Sequence, residues 1–434
     1  MEKVNVIGAG LAGCECALKL SEYGVKVNLF DIKPNAFTPA HKNADYGELV
    51  CSNSLKSNDI YSNACGLLKE EMRLLNSHLI KIADEVSVPA GNALAVDREK
   101  FARLITEKVK ADKNITCVSG EITDIDENAY TVIATGPLTT QKLSDKIISL
   151  VGGRFSFYDA SAPIVTKDSI DMDNAFFGDR YNRGNGDHIN CPMNKDEYEA
   201  FYNALISAER VDLHEFEKRE VFEGCMPIEI MAGRGKDTLR FGPLKPVGLD
   251  DPKTGRWAYA TLQLRRENEE GTMYNLVGFQ TNLKFGEQKR VFGLIPALRN
   301  AEYVRYGVMH KNSFIDSPSA LNDDYSLKTN GKIFFAGQIT GVEGYVESMA
   351  SGLIVGIYLA RKIKGEKEIK ISERTVIGAL TKYITTKNDN FEPMNANFGI
   401  LPQYDLNIKD KKEKKKKLAE ISLSFTRQFI KEIE

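Results

Sequence analysis

The order of apolar and polar positions divides the chain into stretches of different period. Val4, Val6 and Ile7 form a short apolar run suited to a buried parallel strand. A helical pattern follows from Leu11, and a second apolar run over residues 25–30 predicts a second strand. Helical spacing returns at Leu67, Leu68, Met72, Leu75, Leu79 and Ile82, and again at Phe101, Leu104, Ile105 and Val109. Residues 115–118 and 121–125 read as short strands, and residues 131–137 as a strand running into Ala-Thr-Gly. From about residue 156 to residue 300 the regular alternation gives way to strands, turns and two charged helices, one of them over residues 196–208. The rhythm resumes with an apolar strand at residues 332–337 and a helix carrying Val346, Met349, Ala350, Leu353, Ile354 and Ile357. Leu418, Ile421, Phe425, Phe429 and Ile433 place a last helix in the tail. The pattern predicts an α/β domain into which a second, α+β domain is inserted.

The first strand and helix are joined by Gly8-Ala9-Gly10-Leu11-Ala12-Gly13. In such a turn the first glycine permits the tight bend, the second lets backbone approach a pyrophosphate, and the third lets helix pack on sheet. The helix N-terminus then faces the phosphate. Asp31, about 20 residues on at the end of the second strand, is placed to accept from a ribose hydroxyl. Gly136 closes the Ala-Thr-Gly strand. Gly337, Gln338, Gly341 and Gly344 lead into the later helix and read as a second half of the same site. A plain glycine-punctuated turn is the alternative reading at each place.

The length of 434 residues suits two or three domains. A net charge of −2 provides no global basic field, so a nucleic-acid partner would have to be held by local patches. The apolar stretch at 353–363 is far too short to span a bilayer. With a strand starting at residue 4 no signal peptide is expected, and the chain reads as cytoplasmic with no membrane partner. Cysteines stand at 14, 16, 51, 65, 117, 191 and 225, without paired CxxC spacing. No zinc or other metal site and no disulfide framework is therefore expected. Cys51 lies among polar residues in ELVCSNSLKS. Cys225, in FEGCMPIE, is either a packed core thiol or a nucleophile. Residues 409–417 hold seven lysines against two acids, a solvated helix face or a phosphate contact.

The segments ELVCSNSLKS, VPAGNALAVDR, FEGCMPIE, RYGVMHKNSFIDSP, AGQITGVEGYVESMASG and MNANFGILP are long and uncommon. In these the chain closely resembles the folate- and FAD-dependent tRNA (uracil-5-)-methyltransferases of the TrmFO type, from Val4 to about Leu401. The resemblance implies a Rossmann-like FAD-binding domain with an inserted α+β domain. It implies that reduced FAD takes the methylene group of 5,10-methylenetetrahydrofolate and passes it to C5 of a uridine, with NADH or NADPH as reductant. The usual target is the T-loop uridine at tRNA position 54. A ribosomal branch of the family acts on a 23S rRNA uridine, and the basic tail keeps that target open. C5 of uracil is a poor nucleophile until a thiolate adds at C6. By resemblance Cys225 is the attacking thiol and Cys51 a second essential cysteine acting as acid or base, although the two roles are exchangeable on sequence grounds. Tyr345 matches a tyrosine close to the flavin, and His310 a histidine that stacks near the folate. Gly8, Ala9, Gly10, Leu11, Ala12, Gly13, Asp31, Gly136, Gly337, Gln338 and Gly341 become the expected cofactor-binding positions.

Folate carboxylates and RNA phosphates need cations. Arg265, Arg266, Lys284, Lys289 and Arg290, with Arg234, Lys236, Arg240 and Lys245, could supply them from the inserted domain. The expected organisation is residues 1–160 and 301–370 for FAD, 161–300 for folate and RNA, and 371–434 as a C-terminal segment with a basic helix. Two other readings share the glycine turn. One is an FAD- and nicotinamide-dependent oxidoreductase acting on a small molecule or disulfide. The other is a non-enzymatic RNA-binding protein with structural FAD. The sequence leaves the oligomeric state open.

Overall fold

Two sheets organise the chain in a computed structural model. The model describes residues 3–38, 40–152, 154–182, 186–211, 226–267, 271–307, 309–388, 391–402, 406 and 408–434, excepting residue 161, with residues 154–160 and 309–312 as backbone alone. Six helices matter below: α1 (Leu11–Glu22), α2 (Ala64–Leu74), α3 (Phe285–Phe292), α4 (Tyr345–Ile363), α5 (Val376–Thr385) and α6 (Lys411–Ile433).

The first sheet has the spatial order Ser326–Leu327, Asn330–Phe335, Thr131–Ile133, Val4–Ile7, Val27–Asp31, Ile115–Ser119. All neighbours are parallel except the edge pair Ser326–Leu327 and Asn330–Phe335. The apolar runs fit burial on both faces, as parallel strands require. Val4 stands opposite Val27, and Val6 stands opposite Val132, which in turn stands opposite Phe334. The centre of this sheet is thus built by strands some two hundred residues apart in the chain. The expected strand at 121–125 does not form. Gly120 turns the chain away with its N–H on the Asp31 carbonyl, and Ile125 drops into the core as loop. The helical run expected over 67–82 is two helices, parted where Asn76 takes a positive φ and Ser77 caps the second, His78–Glu85.

The second sheet is antiparallel, in the order Phe176–Phe177, Ile189–Met193, Ala260–Arg266, Met273–Leu276, Ile164–Thr166, Tyr303–Arg305. It has its own core, from Val165 to Ala301, into which α3 and the helix Lys195–Ile206 pack. A two-stranded ribbon, Arg154–Ala160 against Met309–Ile315, carries the chain out to this sheet and back.

α1 and α4 cross behind the first sheet at a distance that only small residues allow. A Cβ on Gly352 would collide with the Ala12 carbonyl, and one on Gly356 would meet Lys19 Cβ at 2.9 Å. The start of α4 is thereby fixed over the first glycine turn.

α6 extends the same core. Its lysine-rich first turns face water, while Leu418, Ala419, Ser422 and Phe429 are buried. One side chain joins three helices here. The carboxylate of Glu71 on α2 accepts from the Val376 N–H (2.7 Å) and Ile377 N–H (3.0 Å) at the start of α5, and from the Ser422 hydroxyl of α6. Burial pushes this carboxyl up to about 7, against the pull of Ser422 and the two N–H groups. A group raised in the folded state stabilises fully below its unfolded value and loses that contribution as pH rises through the folded value. Denaturant-monitored stability should therefore fall as pH rises through about 7, on the order of 3 kcal/mol from this group. Glu71→Gln should flatten that fall, and it should lower stability at pH 6 by about 1–3 kcal/mol because an amide N–H₂ then faces backbone donors.

Candidate functional site

A cleft with about 1140 Å³ of space opens at the carboxyl ends of the parallel strands. That is where open α/β sheets bind ligands. Its floor is Gly8, Ala9, Gly10, Leu11 and Ala12. Its walls include Asp31, Lys33, Thr135, Gly136, Gly337, Gln338 and Tyr345. The glycine turn has the shape its sequence predicts. Gly8 has φ +103°, and a Cβ there would meet the Ala134 carbonyl oxygen at 2.6 Å. A Cβ on Gly13 would strike the Gly8 carbonyl oxygen. At Gly10 nothing lies within 4 Å of the same atom, so its backbone is open to the cleft. Asp31 Oδ2 accepts from the Ala9 N–H at 2.7 Å and Oδ1 from the Lys33 N–H at 2.9 Å. Both oxygens keep further lone pairs for a ribose hydroxyl. Glycine turn, acid and apolar walls together fit a flavin dinucleotide.

At the end of this cleft two distant motifs meet. Tyr345 opens α4 and is largely removed from water. Its hydroxyl oxygen accepts from the Cys51 N–H at 2.7 Å and lies 2.9 Å from Cys51 Sγ. The residues are 294 positions apart. Either atom can donate in the contact between the hydroxyl and Sγ; with Cys51 as thiolate the phenolic proton is the donor. Burial pushes the Tyr345 hydroxyl well above its usual value, with Cys51 adding and Arg98 opposing, so it remains a donor at neutral pH.

The loop after Cys51 is tied to the second sheet. Asn53 Nδ2 donates to the carbonyls of Val96 (3.0 Å), Arg266 (2.9 Å) and Glu267 (3.2 Å). Arg265 Nε donates to Asn53 Oδ1 at 3.1 Å and Nη2 to Ser52 Oγ at 2.5 Å. Glu267, 3% exposed, meets Arg98 Nη2 at 2.5 Å. Burial raises its carboxyl, while Arg98, Arg265 and Arg305 oppose. Three guanidiniums against the carboxylates of Glu267 and Asp97 leave this junction positive, beside Cys51 and Tyr345.

Gly13 and Gly341 stand outside the lining: the first packs under Gly8, and the second has the Phe391 ring against the space a Cβ would take. The cations divide into two groups. Arg265 and Arg266 lie at the junction. Lys284, Lys289 and Arg290 are exposed on and before α3, where Lys284 pairs with Glu209 and Arg290 with Glu287. Cys225 and the His310 side chain lie outside the described residues. Sequence reasoning missed Asn53, Arg98, Arg305 and Glu267, and also His41, which lines the cleft. The positions of Asn53 inside ELVCSNSLKS, Arg98 inside VPAGNALAVDR and Arg305 at the head of RYGVMHKNSFIDSP could have drawn attention to those three. The described residues hold no group of three or more His, Cys, Asp or Glu placed to hold a metal ion. No described helix is long and apolar enough to cross a membrane.

Fold and cleft define a Rossmann-like FAD-binding protein with a second domain. The chain matches the family described as Glucose inhibited division protein A over residues 3–367, and it belongs to that family. Two crystal forms of Aquifex aeolicus GidA share the fold, with TM-scores of 0.69 and 0.70 at 17% identity, covering 99% and 98% of this chain and 76% of theirs. Much higher identity links the chain to proteins named methylenetetrahydrofolate–tRNA-(uracil-5-)-methyltransferase TrmFO. The Acetivibrio thermocellus protein is 54% identical over 432 residues, 99% of either chain. The Listeria monocytogenes protein is 54% identical over the whole of both chains. The Staphylococcus aureus (strain MRSA252) protein is 54% identical over 99% of both. These names do not favour the ribosomal-RNA or small-molecule readings.

The turn geometry separates two kinds of glycine. Gly10→Val should keep the melting temperature within a few degrees yet weaken FAD binding at least about tenfold, or 1.4 kcal/mol. Gly13→Ala should lose both stability and flavin. Flavin absorbance per mole of purified protein, with thermal melts of each variant, checks this.

Proposed function

We propose that this chain is a folate- and FAD-dependent tRNA (uracil-5-)-methyltransferase. It converts the T-loop uridine at position 54, 5,10-methylenetetrahydrofolate and reduced FAD into 5-methyluridine, tetrahydrofolate and oxidised FAD, and NADH or NADPH restores the reduced flavin. The 54% identity over the full chain to enzymes of that name supports the reaction. The observation that carries it in this chain is the Cys51–Tyr345 contact at the end of a dinucleotide cleft. FAD, when bound, supplies the reducing equivalents and the site through which the carbon passes.

The residues have the following roles in this reading. Cys225 Sγ loses its proton and bonds to C6 of the uracil, which moves an electron pair to C5 and makes that carbon nucleophilic. Once C5 has bonded to the carbon, whose bond to its carrier nitrogen breaks, the Cys51 thiolate takes the C5 proton and becomes a thiol. The C6–S bond then breaks, and the Cys225 thiolate leaves. Tyr345 donates its proton as a hydrogen bond to Cys51 Sγ, which favours the thiolate needed for that step. Its ring covers the inner end of the cleft against water. The positive junction of Arg98, Arg265 and Arg305 acts in the same direction as Tyr345. Residues 1–160 and 301–370 hold FAD, with His310 against the folate. Residues 161–300 take folate and RNA.

Labelled methylenetetrahydrofolate, NADH and FAD, with unmodified tRNA and 23S rRNA in separate tubes, test the reading by nucleoside analysis. Label is expected in 5-methyluridine of tRNA. Label confined to 23S rRNA, or absent from RNA while NADH still reduces the flavin, would overturn it. Tyr345→Phe should bind FAD normally and slow transfer roughly ten- to a hundredfold, the worth of a hydrogen bond to a charged group. Loss of the donor raises the Cys51 thiol value, so the rising limb of the pH–rate profile should move to higher pH. With 5-fluorouridine in the tRNA the C5 proton cannot be removed, so a covalent adduct should accumulate. That adduct should form in Cys51→Ala and be absent in Cys225→Ala. The reverse outcome would exchange the two roles.

A further inference from the structure

Three rings are stacked at the surface of the second sheet. Phe285, the first residue of α3, lies 4.8 Å from Tyr306 between centroids with planes 17° apart. Tyr306 in turn lies 4.9 Å from Tyr303 with planes 5° apart. Both contacts are closer and more nearly parallel than the stacked core pair Phe201 and Phe279, at 5.9 Å and 25°. The outer ring is 53% exposed. The array is held rigidly from behind by Gln288, which is fully buried. Its amide nitrogen donates to the Gly307 carbonyl and its oxygen accepts from the Gly307 N–H, both at 2.8 Å. The Tyr303 hydroxyl reaches the Gln288 carbonyl at 3.4 Å. Phe241 and Trp257 are exposed aromatics too, at 82% and 52%, but no described ring stacks on them.

The surroundings suit a polyanion. Lys284, Lys289 and Arg290 set three cations against two carboxylates, Glu209 paired with Lys284 and Glu287 paired with Arg290, which leaves the patch positive in a chain whose net charge is −2. Arg305 lies between Tyr303 and Tyr306 in the chain, close enough to Tyr345 and Cys51 to sense their charge. Its Nε and one Nη are buried with no hydrogen-bond partner among the described residues. The strand that carries Tyr303 thus also sends Arg305, with unused cationic donors, toward the reacting end of the cleft.

We infer that Phe285, backed by Tyr306 and Tyr303, is a stacking platform for an unpaired nucleobase of the tRNA T-loop neighbouring the target uridine, with Lys284, Lys289 and Arg290 meeting the adjoining phosphates. This rests on the reading of tRNA as substrate. Every base offers a π-face, and a pre-stacked, immobile ring gives up little freedom on binding it. The platform holds the loop while the target base is turned into the cleft.

The test uses the FAD-loaded full chain and an unmodified T-arm hairpin. Phe285→Ala should raise the hairpin Kd roughly ten- to a hundredfold, the effect of one lost base–aromatic stack. NADH-driven flavin reduction and the KM for methylenetetrahydrofolate should not change. Phe285→Trp should restore affinity. In a Trp257→Phe background its indole, then the only one in the chain, should be quenched by the hairpin. An unchanged Kd in Phe285→Ala, with the unaltered protein methylating the hairpin, overturns the platform and leaves the proposed reaction standing. A raised folate KM with normal hairpin affinity assigns the ladder to the aryl ring of folate and also overturns it. If the unaltered protein neither binds nor methylates the hairpin, the substrate reading fails and the platform fails with it.

Discussion

The close crossing of α1 and α4 is the constraint on which the rest depends. Side chains larger than hydrogen at Gly352 or Gly356 would push the helices apart. α1 begins at the first glycine turn, and α4 begins at Tyr345. Their separation therefore sets the distance between the phosphate end of the cleft and its reacting end. Gly337, whose Cβ would meet Ala12 Cβ at 2.8 Å, brings the second glycine segment onto the same helix. A rigid back wall of this kind lets a short hydrogen bond form between the Cys51 loop and the start of α4, which the Lys56–Glu347 ion pair at 3.3 Å also ties together.

A second constraint acts across the domain boundary. Asn53 gives its amide protons to three carbonyls, two of them at the end of the strand Ala260–Arg266, while Arg265 returns two bonds to the Cys51 loop. The cysteine loop is thus anchored by the second sheet and positioned by the first. The buried Glu267 pairs with Arg98 without neutralising all three guanidiniums, so local field and local geometry have the same origin.

Much of this was legible in the sequence where a feature is local. The first strand, turn and α1, the strand ending in Asp31, and the apolar stripe of α4 each follow from spacing within a few turns. Residues 121–125 failed because alternation alone cannot reveal that Gly120 has already turned the chain. The 67–82 run failed because its apolar positions stay in phase across a break at Asn76. The approach of Cys51 and Tyr345 has no local signature, since neither segment contains the other's position. Cations chosen for charge alone divided between junction and helix, because composition does not say which arginine is caught by an asparagine.

The first sheet is interrupted at its centre. Its strand Thr131–Ile133 pairs with Asn330–Phe335, and most of what lies between, from Val165 to Ala301, belongs to another core. A ribosome releasing this chain delivers the insert complete while the cofactor sheet still lacks two of its six strands and the back wall of α4. The order of release favours an insert completed before the cofactor sheet, while the N-terminal strands wait with an apolar edge exposed. Flavin has no full site to enter until the closing strands arrive. Supply of the cofactor during synthesis then becomes part of quality control: chains that meet FAD late carry the exposed edge longest, and that edge is where self-association would begin.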